Sequence, residues 1–160
     1  MQPMKLLMSA IAALGVSSAA LAQDQAAETS YDAAPWRISA SLAGSAGAGL
    51  VVQAAASHDD LLGPLGVRLA AEYGFTNVPF SVTAGIIDVA PLGPIDIHGG
   101  LGLGVSFEST GALLYTELLL GASYRFSEHF GAYAEARFRP YFDGTADGIG
   151  GLAAGIQFRF

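Results

Sequence analysis

The chain has 160 residues, room for one domain. Its formal charge of −7, from 14 acidic against 7 basic residues, excludes the basic surface that nucleic acid requires. Cysteine is absent, which removes disulfides, thiol catalysis and thiolate metal sites, and only 13% of residues are charged while 52% are hydrophobic.

Met1 to Ala22 reads as an export signal. Lys5 supplies the positive start, Leu6 to Val16 the apolar core, and Ala20-Leu21-Ala22 the small-residue box, placing cleavage between Ala22 and Gln23. Gln23 to Pro35 is polar and Ala-rich, and reads as a flexible leader. Beyond it no stretch approaches the ~20 apolar residues of a membrane helix. High hydrophobicity without a long apolar run is instead what alternating membrane strands produce.

From Trp36 onward the sequence predicts eight strands, at about 36–44, 48–57, 66–76, 80–90, 95–109, 112–126, 130–142 and 149–160. Between them stand Gly, Pro, Asn and Asp punctuation: Ser45-Ala46-Gly47, His58 to Pro64, Asn77-Val78, Pro91 to Pro94, Thr110-Gly111, Ser127 to His129 and Asp143 to Asp147. An even number of strands, each long enough to cross a bilayer at a tilt, predicts an all-β fold: an eight-stranded antiparallel up-and-down transmembrane β-barrel over residues 36–160.

The alternation sorts side chains into two faces. The third strand turns Val67, Leu69, Ala71, Tyr73 and Phe75 one way, and Arg68, Ala70, Glu72 and Gly74 the other. The fifth opposes Ile97, Leu101, Leu103, Val105 and Phe107 to Asp96, His98, Gly100, Gly102, Gly104, Ser106 and Glu108. The sixth and seventh add Tyr115, Glu117, Arg125, Tyr133, Glu135, Arg137 and Arg139 to the polar face. Arg37, Arg68, Arg125, Arg137, Arg139 and Arg159, all the arginines, fall there, and no lysine follows Lys5. Arginine's planar fork suits a crowded hydrogen-bonded interior, whereas a solvated face would welcome lysine. A Thr110-Gly111 turn would set Asp96 opposite Arg125 and Gly104 opposite Glu117; the Ser127-to-His129 turn pairs Phe126 with Phe130 and sets Glu117 opposite Arg139. Outward aromatics form two belts, Trp36, Tyr124, Phe126, Phe130, Phe158 and Phe160 at one end, Phe75, Phe80, Phe107 and Phe142 at the other.

An interior network is therefore expected from Arg68, Glu72, Asp96, Glu117, Arg125, Glu135, Arg137, Arg139 and Arg159. Eight strands leave an interior just wide enough for side chains, so these charges must pair. Inward Gly100, Gly102, Gly104, Gly121 and Gly155 leave space for Tyr115, Tyr133 and Tyr141 or for water. His58-Asp59-Asp60 reads as a solvated turn more than a metal trio, and no cofactor is implied.

The last strand ends in Leu152, Ala154, Ile156, Phe158 and Phe160 on its apolar face, with nothing beyond the final Phe. It resembles the C-terminal assembly signal of bacterial outer-membrane barrels. With the leader and the strand count, residues 36–160 resemble the small outer-membrane barrel superfamily that includes the OmpA transmembrane domain, OmpX and OmpW, a porin-family architecture. The resemblance implies the outer membrane as location, its lipid as partner, and periplasmic chaperones and the barrel assembly machinery as partners in biogenesis. The chain departs from the family in its short outer connections, so adhesion roles do not carry over. A deacylase of this scaffold would need His-x-Ser; here the second residue after each histidine is Asp60, Gly100 or Gly131. The reading is a non-enzymatic structural barrel. A narrow ion or solute pore is the first alternative and a soluble lipocalin-like binder, which needs a greasy interior, the second. The long fifth and sixth strands suggest weak β-pairing with a partner through their hairpin.

Overall fold

The computed structural model describes residues 35–45, 49–75, 80–109, 111–142 and 149–160. The proposed signal peptide and leader, apart from Pro35, lie outside the described residues. Eight strands run in chain order: β1 (Trp36–Ser45), β2 (Gly49–Leu62), β3 (Leu65–Gly74), β4 (Phe80–Leu92), β5 (Ile95–Glu108), β6 (Gly111–Arg125), β7 (Phe130–Arg139) and β8 (Ile149–Arg159). Each pairs antiparallel with its neighbour, and β8 closes on β1, so the sheet is a barrel without edges.

The register fixes the shape. The row of partners that starts at Trp36 passes through His58, Val67, Ile86, Leu101, Leu118, Phe138 and Gly150, and rejoins β1 one step beyond the Gly151–Ser45 pair. That is a stagger of about ten residues over eight strands, which tilts the strands by about 40° to the axis. At that tilt a residue climbs roughly 2.5 Å, so a ten-residue strand such as β3 or β7 covers about 25 Å.

Period two then decides burial. Arg37, Arg68, Glu72, Asp96, Glu117, Glu135, Arg137 and Arg159 are buried on the inside. Outside, Leu42, Leu69, Leu101, Leu103, Leu114, Leu120, Leu152 and Ile156 are exposed, Leu152 at 71%. This is the inverse of a lipocalin-like binder: the polar groups fill the core and the greasy ones face out. Both aromatic belts are present. At the end where β1 begins and β8 ends, Phe158 stacks on Phe160 (5.9 Å) and meets Phe130 at a tilt (5.0 Å), and at the distal end Phe80 lies on Phe107 (5.9 Å). Leu101 sits about midway between the belts. A Leu101→Arg variant is expected to lose about 2–4 kcal/mol of folding stability in lipid, measured by denaturant titration in vesicles.

Four boundaries differ from the sequence expectation. His58 to Pro64 is not a loop: β2 continues to Leu62 across a register shift that follows His58, because Asp59 turns inward to Arg37. The connection shrinks to Gly63-Pro64, and β4 to β5 repeats it as Gly93-Pro94. Gly63 and Gly93 have φ of 76° and 66°, the positive value that a tight hairpin turn of this kind takes at its first residue. The hairpin of β5 and β6 closes on Glu108 and Gly111, so Asp96 faces Ser123, and Glu117 faces Gly102, two residues from the expected register. A slip of two keeps every side chain on its face, so alternation alone does not reveal it. Finally, β7 stops at Arg139 because Pro140 has no N–H to give the ladder, and pairing resumes in the Tyr115–Tyr141 bridge.

Candidate functional site: the charged interior

The inward charges form two layers. In the distal one, Glu72 from β3 takes Arg137 Nη1 at 2.6 Å and both terminal nitrogens of Arg139 at 2.5 and 2.7 Å. The second contact is the two-pronged fit that guanidinium and carboxylate planes favour. Arg139 also donates through Nε to Glu117 at 2.7 Å, and Arg137 through Nη2 to Glu135 at 2.7 Å. Arg68 completes the ring, at 3.4 Å from Glu117 and 3.2 Å from Glu135. Three arginines thus meet three glutamates from β3, β6 and β7, and the layer is electrically neutral. Gln53 bridges it, donating to Glu72 at 2.7 Å and accepting from Arg68 at 3.1 Å and from Arg137. His98 Nε2 lies 3.2 Å from Glu135.

The second layer lies at the end where β1 begins and β8 ends. Asp96 holds Arg159 and, at 3.5 Å, Arg125, with Ser123 Oγ donating to it at 3.4 Å. Arg37 pairs with Asp59. His58 belongs to the outside: its Nδ1 is 3.1 Å from the exposed Asp60, and its ring meets Trp36 edge-on at 4.8 Å. The trio His58-Asp59-Asp60 is therefore split between the two faces of β2. Among the described residues no group of three acidic or imidazole side chains converges for a metal.

All nine expected network residues take part. The sequence reading missed Gln53, His98, Arg37 and Asp59 as members; alternation put His98 and Arg37 on the inner face, and the roles of all four became visible only with cross-strand and cross-barrel distances. The space left by the inward glycines Gly104 and Gly121 is taken by neighbouring side chains. A Cβ at Gly104 would strike the Tyr115 ring, and one at Gly121 would come within 2.6 Å of His98 Nε2 and 2.8 Å of Glu135 Cγ. Tyr115 is fully buried, bonded to Thr83 at 2.7 Å and covered by the Arg139 guanidinium. These glycines are sockets for large side chains on neighbouring strands.

No protein-family model matches the sequence, and no curated protein does either. Solved structures do. The N-terminal β-barrel domain of Pseudomonas aeruginosa OprF aligns with a TM-score of 0.60 at 15% identity, covering 78% of this chain and 97% of that one. Neisserial surface protein A aligns at 0.56 and 16% identity, covering 78% and 96%. The fold is that of the small outer-membrane barrels. A de novo designed transmembrane β-barrel aligns equally well, at 0.61 and 12% identity over 80% of this chain and 97% of that one. That a designed sequence shares the architecture shows how little of it depends on one ancestry: strand number, stagger and face polarity suffice. The ion pairs inside this barrel are a property of its own sequence.

Proposed function

We propose that this chain is a non-enzymatic integral outer-membrane protein whose role is structural, a rigid barrel sealed by its own charges. The observation that carries the reading is the distal layer: Arg68, Arg137 and Arg139 joined to Glu72, Glu117 and Glu135 across the lumen, with Gln53 bonded into the gap. The likeness in fold to OprF and NspA barrels and the outward apolar band with its two belts support the outer membrane as location. Export through cleavage after Ala22, handover by periplasmic chaperones and insertion by the assembly machinery follow from that reading. The hairpin of β5 and β6, the longest pair of strands, is where we place weak β-pairing with a partner.

Planar-bilayer recording tests the sealed interior. Purified barrel is expected to give no stable single-channel steps. Reproducible steps that vanish on Glu117→Gln or Arg139→Gln substitution would replace the structural reading with that of a narrow ion pathway.

A further inference from the structure

The apolar band does not circle the barrel at one height. β4 and β8 face each other across it, four strands apart in the ring of eight. Ile86 and Gly150 belong to one row of partners, and the stagger lifts that row by about five residues over four strands, so Ile86 stands level with Gly155. Asp88 shares the outer face with Ile86, because Ile87 between them is buried. Its height is that of Gln157, where β8 turns Ile156 and Phe158 outward and carries Phe160 lower still. The diameter from β2 to β6 repeats the offset: His58 and Asp60, on the outer side of β2, stand at the height of Tyr124 and Phe126. At the distal edge the order reverses. Phe80 on β4 stands about three residues, or roughly 7 Å, above Leu152, the last large outward side chain of β8 among the described residues. Each aromatic belt is thus close to a half ring. Trp36, Tyr124, Phe130 and Phe158 come from β1, β6, β7 and β8, while the distal belt centres on Phe75, Phe80 and Phe107 at the tops of β3 to β5.

We propose that the barrel meets its bilayer tilted by about 20°, with the side of β2 to β4 sunk toward the end where β1 begins and β8 ends. This placement rests on the membrane-spanning reading of the outer face and adds to it a direction. Sinking that side carries Asp60, His58 and Asp88 out to water and brings Phe75 and Phe80 down to the distal interface. The opposite side rises, and Phe158 and Phe160 settle at their own interface. An upright barrel would instead hold Asp88 at the depth where β8 places Ile156 and Phe158. The opposing pull comes from Leu61, Leu62 and Leu92, exposed beyond the two acids on the same side of the barrel, which an upright barrel keeps nearer lipid. Leucines in water are ordinary on a protein surface, whereas carboxylates drawn into hydrocarbon are not, so the acids decide the direction.

The chain has no cysteine, so single introduced thiols report depth without background. Ile86→Cys and Val82→Cys on β4, and Ile156→Cys and Leu152→Cys on β8, each carry a small fluorophore on the outer face. The labelled barrels are folded into phosphatidylcholine vesicles with bromines placed either at the bilayer centre or near the headgroups. The tilted barrel is expected to hold Ile156 deeper than Ile86, and Val82 deeper than Leu152, by about 5 Å in each pair. An upright barrel gives the reverse order in both pairs, and that result, or equal depths, would overturn the proposal. Quenching of none of the four labels would remove the membrane-spanning reading itself, and the tilt with it. Polarised infrared dichroism of the unmodified barrel in oriented bilayers reads the same tilt without any variant, and a barrel axis along the bilayer normal would overturn the proposal there as well.

Discussion

Replacing Glu72 with leucine is expected to destabilise the folded barrel by about 3–5 kcal/mol, because it leaves three buried arginines of the distal layer against two glutamates. Arg137 and Arg139 both donate to this carboxylate, as do the Gln53 amide and, at 3.4 Å, the Ser81 hydroxyl. The magnitude follows from the asymmetry of buried charge: making a pair gains little over apolar packing, but leaving one member alone costs its full desolvation. Urea unfolding in detergent micelles measures it. Asp60→Asn, which touches an exposed carboxylate paired with His58, is the control and is expected to change stability by less than about 0.5 kcal/mol. Equal effects from the two substitutions would show that the interior charges are solvated and that the layer is not a seal.

The second large effect is expected from Phe158→Asp: loss of most assembled barrel in cells, with the chain left protease-sensitive in the periplasm. Phe158 is registered between Ile38 of β1 and Phe130 of β7, on the seam where the barrel closes. It lies at the aromatic belt, not the middle of the band, where a charge costs only about 0–1 kcal/mol. Refolding of the purified variant into detergent is therefore expected to succeed. A large defect in cells with a small one in vitro marks the row Leu152, Ala154, Ile156, Phe158 and Phe160 as a recognition signal. Failure in both settings would assign the residue to packing at the seam, and unchanged yield in cells would remove the signal altogether.

The architecture was legible because period two is a strong signal in strands that see hydrocarbon on one side and packed charge on the other. Alternation alone places every arginine on the inner face, and the β6–β7 register, with Phe126 beside Phe130, holds: Phe126 N donates to Phe130 O at 3.2 Å. What alternation does not specify is translation along the strand. The β5–β6 hairpin slid by two residues, so Asp96 reaches Arg125 diagonally at 3.5 Å rather than from directly opposite. The polar run His58-Asp59-Asp60 looked like a loop because strand and turn both accept it, and only Arg37 on the neighbouring strand explains why Asp59 stays in the ladder. The partners of Glu72 and Glu135 come from across the lumen, up to 67 positions away in sequence, at a distance that no hairpin rule reaches. The glycine reading held at Gly104, where the space left by the missing side chain is taken by the Tyr115 ring.

The central claim is that the apolar outer face spans a bilayer, with its belts at the two interfaces. Trp36 is the only tryptophan, lies half-exposed on the outer face, and belongs to the belt at the end where β1 begins and β8 ends. Its fluorescence therefore reports depth without any engineered label. In vesicles containing brominated lipids, the account predicts strong quenching by bromines placed near the headgroups and weak quenching by bromines near the bilayer centre. Absence of quenching at every depth would contradict it, because the face that carries Trp36 would not touch lipid.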